Sequence, residues 1–217
     1  MEIFTFTSGP FSENSYLLTL NGQALLVDPG FFEPAEFEVF REELKKTGSE
    51  LIAVLLTHAH VDHILGLERV LKEYEVPVYL NHSDLYLWNQ FPSQAAMFGI
   101  RTAGFGFIPE PLDEQSERKM GAFTFDVLYT PGHAPDHTSF YFKKEGVLIS
   151  GDVLFRESIG RTDLYKGDFG LLSETIELKL YVLPDETRVC SGHGPVTTIG
   201  HEKKFNAFVK ASDPGNS

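Results

Sequence analysis

Cysteine is nearly absent. The chain of 217 residues carries one, Cys190, so no internal disulfide can form, in keeping with a reducing compartment. Long hydrophobic runs are also missing. The longest uninterrupted apolar stretch, Leu51 to Leu56, falls far short of the roughly 20 residues that span a bilayer. The first residues, MEIFTFTSGP, include Glu2 and no basic stretch ahead of an apolar core, so no secretory signal is expected. Positive charge is scarce, with 18 Lys and Arg against 31 Asp and Glu and a net charge of -13. A polyanion would meet a repulsive average field, which argues against nucleic acid as a partner. These absences predict a soluble, cytoplasmic protein without a membrane partner, and they leave its oligomeric state open. Repeats and low-complexity tracts are lacking as well. The remainder is ordinary globular composition, 42% hydrophobic and 23% charged, in a length that fits one domain over 1–217.

Patterning predicts strands near 2–7, 15–20 and 24–27, with Asn21-Gly22 as a hairpin turn between the second and third. Phe37, Phe40 and Leu44 share one face of a helix that follows Pro34 and ends at Gly48. Leu51 to Leu56 reads as a strand buried on both faces. A helix is expected over 64–74, a strand over 76–80 and a helix over 82–89. From Phe91 to Lys119 glycines and prolines break the pattern. This segment is either a substrate flap or a surface loop whose aromatics cover the core. Strands are expected again at 122–129, 138–142, 146–150 and 187–190, with helices over 171–183 and 200–210. Two successive β-rich halves with interspersed helices predict an α/β layered sandwich with helices outside.

Chemistry concentrates in Thr57-His58-Ala59-His60-Val61-Asp62-His63, directly after the buried strand. A hydrophobic core has no use for three histidines and an aspartate in so short a span, whereas a divalent cation does. In extended backbone, residues two apart face the same way, so His58 and His60 can grip one ion. Asp62 and His63, near a helix start, can turn towards a second. Downstream, His133, Asp152 and His193 each follow a glycine at the carboxyl end of a predicted strand, the rim where layered α/β folds bind ligands. His58, His60 and His133 then suit one metal and Asp62, His63 and His193 the other, while Asp152 can bridge them. Nitrogen and oxygen ligands without cysteine favour two zinc ions, and iron or manganese also accept such a set. Cys190 belongs to a predicted strand and reads as a small buried side chain. Arg161 and Asp163 read as a loop-fixing ion pair, with a substrate carboxylate as the alternative partner of Arg161. His137 is expected to support the ligands. His82 and His201 are expected on exposed helices, and Lys203 and Lys204 either close to the site or on a solvated helix face.

THAHVDH, the downstream His133, SGD with Asp152 and SGHGP with His193 resemble the metallo-β-lactamase superfamily, in order and across nearly the whole chain. The resemblance implies a four-layer αββα sandwich with a dinuclear site at one edge. It is nearest to short bacterial hydroxyacylglutathione hydrolases of the glyoxalase II type, on SGDVLF, on GRTD (160–163) and on SGHGPVTTIGHEK. Asp28, in VDPG, resembles a family aspartate that supports the ligands. Few residues follow His193, so the helical extension with which long glyoxalase II enzymes hold glutathione is not expected. Lactamases usually lack the bridging aspartate, and periplasmic ones need a signal peptide, which argues against that activity. The resemblance implies hydrolysis of a thioester such as S-lactoylglutathione to a 2-hydroxy acid and a thiol by a metal-bridging hydroxide. Asp62 and Asp152 would be catalytic, with Asp62 orienting the water. A persulfide dioxygenase with one iron on His58, His133 and Asp152, or a lactone or ester hydrolase, is the alternative.

Overall fold

The computed structural model describes residues 1–210. Its first half runs β1 (Glu2–Ser8), β2 (Glu13–Leu20), β3 (Gln23–Val27), α1 (Pro34–Thr47), β4 (Glu50–Leu55), α2 (Val61–Ile64), α3 (Leu67–Glu73), β5 (Val78–Leu80), α4 (Tyr86–Asn89), α5 (Phe91–Met97) and β6 (Glu110–Pro111). The second half runs β7 (Gln115–Met120), β8 (Phe123–Tyr129), β9 (Thr138–Phe142), β10 (Val147–Gly151), β11 (Leu154–Phe155), β12 (Ser158–Ile159), α6 (Phe169–Thr175), a π-helical turn (Ile176–Leu180), β13 (Arg188–Ser191), β14 (Thr197–Thr198) and α7 (Ile199–Phe205). Each half builds one six-stranded sheet, in the order β1-β2-β3-β4-β5-β6 and β14-β13-β10-β9-β8-β7.

Side-chain alternation assembles these sheets into four layers, because successive residues of a strand face opposite sides. Leu18, Leu25 and Leu55 point inward to meet Phe125, Phe140 and Ile149 of the other sheet. Their neighbours Leu17, Leu26 and Val54 point outward, onto Phe37 and Phe40 of α1 and Leu67 of α3. Leu148 and Val189 do the same on the second sheet, against Leu172, Ile176 and Ile199. A strand between two apolar layers needs no polar face, which is why 51–56 reads as an unbroken apolar run. Cys190 lies in the layer between the sheets, as expected. Asn21 and Gly22, at φ 51 and 78, make the predicted tight turn.

Several expected boundaries give way. The helix over 64–74 is two helices, broken at Leu65-Gly66, since the amide of Gly66 bonds the Pro29 carbonyl (2.7 Å) and a Cβ there would sit 2.8 Å from the Phe31 backbone. Only Tyr86–Asn89 of 82–89 is helical, and the His82 ring instead contacts the Pro109 carbonyl at 2.9 Å. The stretch 91–119 is not structureless. It holds α5, begun by Pro92 in its first turn, and most of β7, an edge strand of mainly polar residues. The helix over 171–183 starts at Phe169 and finishes as a π-helical turn, and α7 ends at Phe205 rather than 210.

No helix among the described residues is long and apolar enough to cross a membrane. Strands β8, β10 and β13 run the same way, β10 and β13 side by side and β8 related to β10 through the antiparallel β9. The turns after all three therefore emerge at one edge.

Candidate metal centre

The segment after β4 carries His58, His60, Asp62 and His63, and the turns after β8, β10 and β13 carry His133, Asp152 and His193. The fold brings all seven together. Candidate ligand atoms of His58, His60 and His133 lie within 4.8 Å of one another, as do those of Asp62, His63 and His193. Asp152 faces both groups. Its Oδ1 is 3.4 Å from His63 Nε2, while its Oδ2 is 3.6 Å from His133 Nε2 and 3.4 Å from His193 Nε2. His58, His60, His63 and His133 are buried; Asp62 and His193 stand nearer the mouth.

Hydrogen bonds aim the imidazoles. His133 Nδ1 is 2.7 Å from the Arg161 carbonyl, His193 Nδ1 is 3.1 Å from the Phe11 carbonyl, and His63 Nδ1 is 2.9 Å from Asp28 Oδ2. Each acceptor fixes a proton on Nδ1 and turns Nε2 towards the centre, where it can coordinate once any proton on it is lost. Thr57 donates its amide and its hydroxyl to the two oxygens of Asp28, at 2.7 and 2.6 Å. The committed hydroxyl then accepts from His58 Nδ1 at 3.0 Å, and His58 Nε2 turns towards His133 Nε2, 3.3 Å away. His60 is the exception, since its Nδ1 faces His133 Nε2 at 2.9 Å.

The residues expected to support the candidate ligands make the following contacts. Asp28 holds Thr57 and His63 as described. His137 Nε2 accepts the Asp152 amide at 3.0 Å while its Nδ1 contacts the Thr130 hydroxyl at 2.8 Å. Arg161 and Asp163 form a two-point ion pair, both bonds 2.7 Å, so the pairing expected of them is the one observed. Two further residues escape a reading by motif. Asp136 accepts the Ala59 amide at 2.9 Å and so fixes the backbone between His58 and His60. Burial pushes its carboxyl up to about 7. Glu13, wholly buried, reaches 3.9 Å from His63 Nδ1 and accepts from Ser15 at 3.0 Å. The available signal for it was Glu13-Asn14-Ser15, a polar run inside a strand between two apolar layers.

Charge in the metal-free centre is balanced by protons. Burial alone would strip them from His63 and His193, yet Asp152 and Asp62 outweigh it. They raise His63 well above its usual value and His193 to about 10. Burial and the neighbouring imidazoles push His58 well down and His60 to about 3. Burial would raise the Asp152 carboxyl, but His63 beside it holds it well below the carboxylate range. His63 Nε2 and Asp152 Oδ1 are buried and face each other at 3.4 Å as an ion pair, with no hydrogen bond to either atom, so both are open to a cation. With neutral imidazoles on one side and carboxylates on the other, the donor set fits divalent cations. Above it opens a cavity of about 780 Å³, floored by His60, Asp62, His133, Asp152 and His193.

Residues 8–193 match the family model described as the metallo-beta-lactamase superfamily. The probable metallo-hydrolase YqgX of Bacillus subtilis is 37% identical, over 93% of this chain and 94% of its own length. Hydroxyacylglutathione hydrolase GloC of Haemophilus influenzae is 35% identical, over 87% and 88%. Among solved structures, the BLEG-1 B3 metallo-beta-lactamase superposes with a TM-score of 0.85 at 40% identity, covering 96% of this chain and 99% of the other. TTHA1623 in a di-iron-bound form gives 0.84 at 38% identity, covering 95% and 100%.

Proposed function

The chain belongs to the metallo-beta-lactamase superfamily, and from that premise we propose that it is a metal-dependent hydrolase cleaving a thioester such as S-lactoylglutathione to a 2-hydroxy acid and a thiol. The observation that carries the reading is the convergence of His58, His60, Asp62, His63, His133, Asp152 and His193 at the floor of an open cavity, with the buried His63 Nε2 and Asp152 Oδ1 facing each other at 3.4 Å and neither held by a hydrogen bond. His58, His60 and His133 would hold one ion and Asp62, His63 and His193 a second, with Asp152 reaching both. A bound pair of divalent cations lowers the pKa of water towards neutrality and polarises a carbonyl oxygen, so no protein nucleophile is required.

The chain's own groups do the positioning. Asp62 Oδ2, 3.2 Å from His193 Nε2, lines the cavity and can accept a proton from an attacking water. Asp152 is held from behind by His137, and the 58–60 segment by Asp28 and Asp136, so the substrate meets a preformed floor. The likeness to GloC supports a thioester substrate, and the di-iron TTHA1623 structure keeps iron beside zinc as the metal.

The test is metal analysis and turnover on protein of defined metal content. About two ions per chain, with thiol release from S-lactoylglutathione, is the expected result. One iron per chain with oxygen uptake on glutathione persulfide would replace this reading by a dioxygenase using His58, His133 and Asp152. His133 Nε2 lies 3.3 Å from His58 Nε2 and 3.6 Å from Asp152 Oδ2, close enough for such a set. Nitrocefin in the same assay reads lactam cleavage, warranted by the likeness to BLEG-1.

A further inference from the structure

Above its floor of candidate ligands the cavity is lined mostly by aromatic and aliphatic side chains, with Gln90, Gln94 and two serines among them. Tyr86 stacks on Tyr165 with ring centroids 4.0 Å apart, and Phe11 meets Phe98 edge-on at 4.7 Å. Met97, 82% exposed, and Leu164, 40% exposed, stand beside them and also line the space. Such apolar surface is costly to leave in water and marks a binding face. Arg161 is the one lysine or arginine lining the cavity among the described residues. Its charge is paired with Asp163, which accepts from Nε and Nη2 at 2.7 Å each. Lys166, adjacent to Tyr165, is engaged by Asp84 at 2.8 Å. A glutathione carrier brings two carboxylates to these walls and finds no unpaired cation on them, on a protein whose net charge is -13. A lactoyl group fills little of a space of about 780 Å³.

We propose that the outer part of this cavity, between Met97-Phe98 and Tyr86-Tyr165, is a subsite for an extended apolar acyl arm, and that the preferred substrates carry one on an uncharged thiol. This rests on the thioester reading above and, within it, makes S-lactoylglutathione a slower substrate than a thioester with an apolar acyl arm.

Two measurements separate the subsite from the reaction. The first is binding of thioethers, which cannot be hydrolysed, to the metal-loaded protein by calorimetry. S-octyl-N-acetylcysteamine should bind at least about tenfold more tightly than S-ethyl-N-acetylcysteamine, given the free energy of burying each methylene. In a Met97→Ser/Tyr165→Ser variant, whose fold is checked by circular dichroism, the gap should shrink to about threefold or less. Equal affinities, or a gap unchanged in the variant, overturn the subsite. The second is hydrolysis by metal-loaded protein. Octanoyl-N-acetylcysteamine should exceed both acetyl-N-acetylcysteamine and S-lactoylglutathione in kcat/KM, and a faster reaction with S-lactoylglutathione overturns the preference. If the octyl thioether is preferred and none of the thioesters is cleaved, the apolar subsite stands and the thioester reading falls.

Discussion

Asp28 touches no cavity, yet three hydrogen bonds pass through it. One oxygen takes the Thr57 amide, and the other takes the Thr57 hydroxyl and faces His63 Nδ1. Through Thr57 it also settles which nitrogen of His58 faces the centre. Asp28→Asn keeps the shape, and asparagine tolerates the positive φ of 47 at this position, but the amide cannot accept at both ends. We expect metal affinity to fall about 10- to 100-fold with the fold intact, read by competition against a chelator. An unchanged affinity would remove Asp28 from the argument. Protons give a second prediction at this scale. In the metal-free protein burial opposes a charge on His193, but Asp152 and Asp62 win and its pKa rises to about 10. A cation must displace that proton. Binding at pH 8 should therefore release protons, and affinity should rise with pH up to about 10, because less proton competes. Titrations in buffers of different ionisation enthalpy measure the release; a heat independent of buffer contradicts it.

Elements determine whether these side chains ever meet. Strand β10 ends in Gly151 at φ 52, where a Cβ would stand 2.6 Å from His137 Nε2 and 2.7 Å from Thr57 Oγ1. The left-handed turn swings Asp152 towards the ligands while leaving room for both supports. Gly151→Ala combines a left-handed alanine with overpacking and should cost about 2–4 kcal/mol in urea unfolding, with weaker metal binding alongside. A loss below about 1 kcal/mol would show that the neighbours yield easily. The same scale explains what could be read in advance. Strand β9, Thr138–Phe142, and the apolar run of β4 were legible because burial leaves a direct trace in residue type. The candidate ligand histidines were legible because a core has no other use for them. What hid was set by distant contacts. Gly66 breaks a regular helical pattern to accommodate Phe31, and Gln115–Met120 is a strand by pairing with β8 despite its polar sequence. Asp136 and Glu13 carry no spacing signature, since each supports the centre from the far side of a ligand-bearing segment.

On the scale of the whole molecule, the candidate ligands are divided between the halves. His58, His60, Asp62 and His63 hang from the first sheet, and His133, Asp152 and His193 from the second. The sheets already share an apolar layer, but at this edge the contact between them is polar: carboxylates and imidazoles that must be neutralised to stay together. Cations bound there would tie the two halves at the point where burial contributes least, and they would bind the native state alone. At a free concentration about 1,000 times the dissociation constant, each bound ion is worth about 4 kcal/mol. For a chain of this size one ion raises Tm by about 8–16 °C. Chelation should lower Tm by at least that amount, and readdition of zinc should restore it. Asp152→Ala removes a carboxylate that faces both groups of candidate ligands, so its Tm should respond far less to either treatment. A wild-type Tm indifferent to chelator, on protein shown by analysis to have lost its metal, would mean that the halves are held by the apolar layer alone.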